Sequence, residues 1–269
     1  MAQTLDPAFP PSLLSRIEDA GINASAPPQQ RWVDGWLVRF SPGKAKRARC
    51  VQAVAEGRLP LDERLRLAEA VLADAGLPLI VRITPFSLPA DLDARLAALG
   101  LTAIDDTRVM VADLAAAPAA STAPAAELPP GTALTRLDAA AYAELVGGLR
   151  GSPPEQRDAH AERLRWSPVP YEGWALRSVA DGRLLCCAQT AREADLVGLY
   201  DVFTPGAERG QGHARRLCGR LIANAAAAGA GTAYLQVDAD NAPARAAYRR
   251  LGFADAYGYH YRTADPAKA

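Results

Sequence analysis

Six consecutive residues near the C-terminus have the types and spacing that bind phosphate: Arg209, Gly210, Gln211, Gly212, His213 and Ala214. The run follows an apolar segment with β character, residues 196–204, and precedes an amphipathic segment with helical periodicity, residues 217–227. Glycines let backbone N–H groups approach an anion closely, and a helix N-terminus adds roughly half a positive charge. We therefore expect the N–H groups from Gly210 to Arg215 to hold a pyrophosphate, with an ordinary strand–turn–helix as the alternative.

Downstream of this run, Asn241 and Tyr248 precede the triplet Leu251, Gly252 and Phe253. The loop and this spacing resemble the GCN5-related N-acetyltransferase (GNAT) family, whose loop reads Arg/Gln-x-x-Gly-x-Gly/Ala. The resemblance covers about residues 131–262 well and the first half only loosely. A dinucleotide-binding fold is disfavoured, because its glycines follow the first strand and an acidic residue comes ~20 positions later. The resemblance implies transfer of an acetyl group from acetyl-CoA to an amine, with acetyl-CoA as co-substrate and no metal.

The same resemblance implies where acetyl-CoA binds. The strand of residues 196–204 would splay from the strand of residues 233–237, so that the pantetheine arm pairs with free backbone groups like an added strand. The expected cofactor-binding residues are Val202, Phe203, Thr204, Arg209, Gly210, Gln211, Gly212, His213, Ala214, Arg215 and Asn241. Asn241 is also a candidate helix N-cap, since Pro243 suits a first helical turn, and both roles are compatible.

Two residues are candidates for the chemistry. By resemblance, Tyr248 protonates the departing CoA thiolate, and a phenol of pKa near 10 suits a thiolate whose acid has a pKa of about 8.5. Core packing is the alternative for Tyr248. Asp201, at a strand end facing the expected acetyl group, is the first candidate for the base that deprotonates the amine, with a turn cap as the alternative. Some relatives place a Glu five residues before the Asn, but here that position is Gln236, which cannot take a proton.

Other polar residues carry weaker signals. Lys44, Lys46, Arg47 and Arg49 form one basic cluster, which is either a solvated hairpin or a patch for an acidic substrate or the cofactor's 3′-phosphate. Without interleaved aromatic residues, the cluster does not indicate a nucleic-acid site. His160 and His260 are isolated in sequence, which favours surface or internally satisfied histidines over ligands.

The elements that must position these residues alternate between strands and helices. Predicted strands cover residues 133–137, 173–179, 184–190, 196–204, 233–237 and 253–262. Predicted helices cover residues 139–149, 155–165, 217–227 and 243–251. This order predicts an α/β protein with a mixed sheet and flanking helices, the acyl-CoA N-acyltransferase fold that the resemblance implies.

The two halves of the chain resemble each other, which suggests two tandem copies of that fold. The triplet at Asp34 (DGW) is similar to the triplet at Glu172 (EGW), and Gly76 precedes Gly100 by nearly the spacing of Gly229 and Gly252. The first half is shorter between its Trp and Gly anchors and lacks the phosphate-binding run, so we infer that this copy is degenerate. An Ala/Pro-rich stretch reads as a linker. The expected domains are residues 1–114, a linker of residues 115–130 and a catalytic domain of residues 131–269, with the first half packed on the second.

Composition limits the binding partners and the cellular compartment that we expect. Thirty basic and thirty acidic residues give a net charge of zero, so we expect no nucleic-acid or membrane partner. No stretch resembles a signal peptide or a transmembrane helix, and the four cysteines form no Cys-x-x-Cys pair, which predicts a cytoplasmic protein with reduced, buried thiols.

The sequence thus predicts a GNAT-type N-acetyltransferase whose acceptor is a primary amine of a small molecule or peptide. We expect a monomer, with a homodimer as the alternative. A CoA-binding sensor or interaction module without turnover is the competing function, because it would need neither Tyr248 nor Asp201.

Overall fold

The structure is a computed structural model and describes residues 4–115 and 127–269. Within these residues the helices are α1 (Pro11–Ala24), α2 (Leu61–Asp74), α3 (Leu92–Ala98), α4 (Ala139–Leu149), α5 (Pro154–Arg165), α6 (His213–Ala227) and α7 (Ala242–Arg249). The strands are β1 (Gln30–Val33), β2 (Trp36–Arg39), β3 (Val51–Gln52), β4 (Ile80–Ile83), β5 (Thr102–Asp113), β6 (Thr132–Leu137), β7 (Tyr171–Ser178), β8 (Leu184–Glu193), β9 (Leu196–Phe203), β10 (Thr232–Asp238) and β11 (Ala254–Thr263). Most of the predicted linker, residues 116–126, lies outside the described residues.

All of these strands belong to one mixed sheet, in the order β1-β2-β3-β4-β11-β5-β10-β9-β8-β7-β6. Two neighbouring pairs are parallel, β3 with β4 and β9 with β10, and the other neighbours are antiparallel. The prediction of a mixed sheet with flanking helices is confirmed. Each parallel pair is joined through a helix, α2 or α6, as a parallel connection requires.

The centre of the sheet is built by strands that the two halves exchange. Strand β5 lies between β10 and β11, and it pairs antiparallel with both. Strand β11 in turn lies between β5 and β4. Each half therefore completes the sheet of the other, which confirms that the first half packs on the second. The domain boundaries themselves stay a prediction.

The sheet order corrects the predicted alignment of the two halves. Counting outward from the central strands β5 and β11, the counterpart of β4 is β10, that of β3 is β9 and that of β2 is β8. Trp36 lies in β2 but Trp174 lies in β7, so the two similar triplets are not equivalent. Moreover, the loop before α2 has eight residues (53–60) and the loop before α6 has nine (204–212). The first half has therefore not lost the loop that carries the phosphate-binding run.

Helix α6 shows how local sequence sets an element of the site. Its apolar stripe of Leu217, Leu221, Ile222 and Ala225 is buried against the sheet, as the periodicity predicts. The helix starts at His213, four residues before the predicted apolar segment, because Gly212 adopts the left-handed conformation (φ 79°) that ends the preceding loop. The phosphate-binding run thus includes the helix N-terminus itself.

The four cysteines are buried free thiols, as expected. None of the helices in the described ranges combines the length and the apolar character that a bilayer crossing requires.

Candidate active site

The strands β9 and β10 pair over only part of their length. Their parallel ladder runs from the Leu196–Thr232 pair to the Leu199–Leu235 pair, although β9 continues to Phe203 and β10 to Asp238. A bulge lies just past the last pair: Asp201 has φ +48°, and the register with β8 shifts between Gln189 and Cys187. A bulge bends its strand and breaks local pairing. The structure thus has the opening that the sequence predicts between these strands, next to Val202, Phe203 and Thr204.

The glycine loop and the start of α6 lie directly after this opening. Gly210 and Gly212 both have positive φ, and Gly212 is the N-cap of α6 without a capping side chain. The N–H of Arg216 donates to the Gly212 carbonyl at 3.1 Å. The N–H groups that precede it at the helix start have no helical acceptor, as at any α-helix N-terminus. A Cβ atom added at either glycine would meet no atom within 4 Å, so the loop faces open space.

Side-chain hydrogen bonds to backbone carbonyls stabilise this loop. Arg209 donates through Nε to the Thr204 carbonyl at 3.2 Å, and Gln211 donates to the Ala207 carbonyl at 3.3 Å. The imidazole of His213 is buried, with Nε2 at 3.6 Å from a carboxylate oxygen of Glu208. His213 therefore contributes its backbone to the loop surface and its ring to the interior.

Tyr248 lies on α7 and packs against the core cluster that also contacts the opening and the start of α6. Val202 at the opening, Ala214 in the first turn of α6 and Tyr248 pack against one core cluster. The phenol ring of Tyr248 contacts Phe253 edge-on, with 6.0 Å between ring centroids. Burial raises the pKa of Tyr248 above its ordinary value, with Cys218 and Cys186 nearby, so the hydroxyl is protonated at neutral pH. The arrangement is compatible with a proton donor at the opening.

Asn241 is the N-cap of α7, which confirms the capping prediction. Its Oδ1 accepts a hydrogen bond from the Ala244 N–H at 3.2 Å. Because the amide oxygen is engaged in the cap, its Nδ2 group is the part left to act as a donor toward a ligand.

The carboxylate of Asp201 is partly exposed and lies between two basic side chains. Arg150 donates to Oδ1 at 2.8 Å, and His160 Nε2 lies 3.3 Å from Oδ2. Burial would raise the pKa of Asp201, but the nearby His160 imidazole and the charges of Arg150 and Arg163 hold it well below its usual range. A carboxylate stabilised in this way is a weak proton acceptor. Asp201 is therefore less suited to act directly as the base than its sequence position suggested.

For His160 the sequence favoured a surface or internally satisfied histidine over a functional one. It lies on α5, about forty positions from Asp201, and no spacing rule links the two. Only the packing of α5 against the end of β9 brings the imidazole and the carboxylate together. The resulting pair resembles, in its elements, the histidine and orienting carboxylate of many general-base sites.

A cavity of about 470 Å³ opens beside Asp201 and His160. Its walls come from both halves: the loop of residues 41–48, the helices α4 and α5, and the rings of Tyr171 and Tyr200. This volume is within the range of small-molecule sites. The cavity adjoins the β9 end at Asp201, so it lies beside the opening that would hold the acetyl group.

The predicted basic cluster is divided by the fold. Lys46 pairs with Asp105 at 2.6 Å, whereas Lys44 and Arg47 line the cavity. Arg47 is directed inward and donates to the hydroxyl of Tyr259 at 3.0 Å and to Oε1 of Gln236. The cluster is therefore not a plain solvated hairpin. Gln236, at the position where some relatives have a Glu, has its amide oxygen engaged by Arg47 and by Tyr259 at 2.9 Å.

The first half has a counterpart of the phosphate-binding loop, but a carboxylate fills it. Asp34, in the β1–β2 turn, accepts hydrogen bonds from the Arg58 N–H at 2.9 Å and the Leu59 N–H at 2.8 Å. Arg64, on α2, adds an ion pair at 3.0 Å. These donors lower the pKa of Asp34. An internal anion thus occupies the N–H groups just before α2, where the second half presents free ones.

The splayed parallel strands, the glycine loop at a helix start and the single mixed sheet define the GNAT fold, as the sequence predicted. Over residues 12–262 the chain matches the family model described as "Probable histone acetyltransferase Rv0428c C-terminal". The chain therefore belongs to this family of GCN5-related N-acetyltransferases.

Solved structures share this fold at low identity. A GCN5-related N-acetyltransferase from Kribbella flavida is 17% identical with a TM-score of 0.62, covering 94% of this chain and 95% of its own. A functionally unknown conserved protein from Staphylococcus epidermidis is 8% identical with a TM-score of 0.61, covering 87% and 93%. A tandem GNAT protein from the clavulanic acid biosynthesis pathway is 16% identical with a TM-score of 0.54, covering 81% and 76%. No curated protein gives a significant match.

Proposed function

We propose that this protein transfers an acetyl group from acetyl-CoA directly to a primary amine. The observation that carries the proposal is the convergence of three features: the end of the β9–β10 ladder, the free N–H groups at the start of α6, and the protonated phenol of Tyr248. Acetyl-CoA supplies the activated thioester when it is bound. Holding the thioester and the amine in line would provide most of the rate gain.

The residues around the opening would divide the binding of acetyl-CoA between them. The N–H groups from Gly210 to Arg215 would bind the pyrophosphate, aided by the dipole of α6. The backbone of Val202, Phe203 and Thr204 would pair with the pantetheine arm, and Asn241 would donate to it through Nδ2. Arg209, exposed at the loop, adds a positive charge for the phosphates.

In the transfer step, the amine nitrogen forms a bond to the acetyl carbon and the carbon–sulfur bond breaks. Tyr248 donates its proton to the departing sulfur, and the nitrogen loses a proton to a base or to water. Because the pKa of Asp201 is held low, we propose that Asp201 orients His160 and stabilises its charged form, while His160 or a bound water accepts the proton.

The family description names a histone acetyltransferase, and the reactive group of a lysine side chain is a primary amine. We therefore keep the primary amine as the acceptor class. Which primary amines fit depends on the shape and the charge of the cavity beside Asp201.

Calorimetry with acetyl-CoA, followed by steady-state release of CoA with a panel of amines, tests this proposal. We expect one acetyl-CoA site per chain, because Asp34 fills the corresponding loop of the first half. Release of CoA that depends on the amine and forms its N-acetyl product would support the enzyme. Binding without any amine-dependent release would instead support the CoA-binding sensor.

A further inference from the structure

The cavity beside Asp201 is rich in positive charge. Its lining contains five cationic side chains: Lys44, Arg47, Arg150, Arg157 and Arg163. Among the described residues that line it, Asp201 is the one carboxylate. The protein as a whole has no net charge, so this excess is local.

Part of the positive charge is neutralised and part is not. Arg150 pairs with Asp201 at 2.8 Å, and Arg157 pairs with Glu144 at 2.7 Å. No carboxylate of residues 4–115 or 127–269 forms an ion pair with the other three lining cations, Lys44, Arg47 and Arg163. Three positive charges around one small cavity are thus left without a counter-ion from the protein.

Two of these cations are fixed in place. Arg47 lies over the ring of Tyr200 at 5.8 Å, and Arg163 lies over the ring of Tyr171 at 5.9 Å. Arg163 is 8% exposed and also donates to the Ala24 carbonyl at 3.1 Å. Immobilised guanidinium groups lose little entropy on binding an anion, so they are effective recognition groups.

A third guanidinium increases the field behind the cavity wall. Arg39 is 1% exposed, and it donates to Gln30 at 3.1 Å and to the hydroxyl of Ser25 at 3.1 Å, which is itself a lining residue. Burial lowers the pKa of Arg39 to about 10, and the charges of Arg163 and Arg47 act in the same direction. Burying several cations together without carboxylates is costly unless a ligand supplies the negative charge.

We propose that the acceptor is a small amine that carries its own anionic group, a carboxylate or a phosphate. This inference rests on the proposed acetyl transfer and specifies its substrate class. The anionic group binds among Lys44, Arg47 and Arg163, while the amine lies toward Asp201 and His160 at the end of β9. The cavity lining thus combines one carboxylate, Asp201 at the end of β9, with an excess of positive groups, and this combination matches a zwitterionic acceptor.

The same arrangement disfavours a strongly basic peptide. Lysine- or arginine-rich segments would bring like charges against Lys44, Arg47 and Arg163 in a partly dehydrated site, and like-charge contacts are destabilising. A volume of about 470 Å³ also fits a small molecule better than an extended chain.

A matched acceptor series tests the inference with two separate readouts. The series contains a linear ω-amino carboxylic acid, its carboxamide, an aminoalkyl phosphate, an alkylamine and a diamine of equal chain length, and a lysine-rich peptide. Calorimetry in the presence of CoA measures binding, and CoA release with acetyl-CoA measures turnover. We expect the two amines that carry an anionic group to bind at least about tenfold more tightly than the amines that lack one, as for one charge-assisted contact.

Charge-neutralising variants locate the effect. Lys44→Gln and Arg163→Gln should each weaken binding of the amines that carry an anionic group about tenfold, whereas binding of the alkylamine should not weaken. Lys46→Gln is the matched control, because Lys46 lies on the same loop but pairs with Asp105 outside the cavity. The comparison of phosphate with carboxylate shows which anionic group the site prefers.

The outcomes separate this inference from the proposed activity. Equal affinity for anionic, neutral and cationic amines, or a Lys46→Gln effect as large as that of Lys44→Gln, would overturn the inference whether or not CoA is released. Selective binding of the anionic amines would support it even in the absence of turnover, in which case the proposed acetyl transfer would be the part that fails.

Discussion

Tyr248 and Asp201 show how the environment of a residue decides the chemistry it can perform. Burial raises the pKa of Tyr248, so its hydroxyl holds the proton more tightly than a free phenol and would release it only as negative charge develops on the leaving sulfur. Asp201 is kept ionised by Arg150 and His160, which suits a group that orients and stabilises a neighbouring imidazole. The surroundings thus reinforce the ordinary protonation state of each residue, a neutral phenol and an ionised carboxylate.

Replacing Tyr248 with Phe should lower kcat by roughly 10²-fold and change the affinity for acetyl-CoA little, because general acid catalysis acts only as charge leaves on sulfur. Calorimetry and steady-state kinetics with a working acceptor measure the two quantities. Tyr142→Phe is a useful comparison, since its hydroxyl donates to the Asp201 carbonyl at 2.9 Å and not to the proposed leaving group. An unchanged kcat in the Tyr248 variant would assign that residue to core packing alone.

Replacing Asp201 with Asn should destabilise the fold in a pH-dependent way. The folded pKa of Asp201 is lowered, so its contribution is fully present above the unfolded pKa of about 4 and is lost as pH falls below it. At pH 7 the variant should lose about 1 kcal/mol of unfolding free energy, because the partly exposed Arg150 is left without its carboxylate partner. Urea titrations at pH 7 and at pH 3.5 to 5 measure the difference between wild type and variant. A difference that grows on acidification would contradict the ion-pair assignment.

At the scale of elements, the start of a helix distinguishes the two halves. Both halves have a parallel strand pair joined through a helix and a loop of similar length. In the second half the N–H groups before α6 face open space, whereas in the first half Asp34 accepts from the N–H groups before α2. The two halves thus differ because a carboxylate of the protein itself binds the loop N–H groups of the first half. The backbone of that loop is not missing.

Replacing Gly212 with Asp should weaken acetyl-CoA binding by at least about 100-fold, because it puts a negative charge where the N–H groups would hold a pyrophosphate. Gly229→Asp is the matched control. Gly229 lies just past the other end of α6, has φ +93° and likewise has no atom within 4 Å of an added Cβ. The control has the same backbone strain and charge but should keep its affinity. Calorimetry on both variants distinguishes a local effect at the loop from a general loss of folding; equal losses would refute the loop assignment.

At the scale of the whole molecule, the exchanged strands make the two halves depend on each other. Without β5, the strands β10 and β11 have no partner between them, and without β11 the same is true of β4 and β5. The cavity also needs both halves, since the loop of residues 41–48 covers α4, α5 and the end of β9. The two halves of the chain thus form one continuous sheet.

Cleaving the chain between residues 115 and 127 should therefore leave two fragments that remain associated. Each exchanged strand is hydrogen-bonded to a neighbouring strand along both of its edges. Separating the two fragments would therefore expose unpaired strand edges and apolar surface. Size-exclusion chromatography of the cleaved protein, with and without urea, measures the association. Fragment 127–269 expressed alone should be poorly soluble. Two folded fragments that separate cleanly in native buffer would contradict the exchange of strands.

The sequence by itself determined the features that depend on short-range interactions. Gly210 and Gly212 predicted a glycine-bearing loop before a helix start, the periodicity from Leu217 predicted the buried face of α6, and Asn241 before Pro243 predicted a helix cap. Each of these follows from backbone sterics and helical repeat, which act within a few residues. The placement of Tyr248 near the opening came from resemblance in spacing along the chain.

Only the tertiary structure decided the features that join distant segments. The pairing of His160 with Asp201, the contact of Arg47 with Gln236, the carboxylate of Asp34 in the first half's loop and the exchange of β5 and β11 all link residues far apart in sequence. No local rule fixes such contacts, because they depend on how whole elements pack. The predicted equivalence of the two Trp triplets failed for the same reason: similar local strands occupy different positions in the sheet.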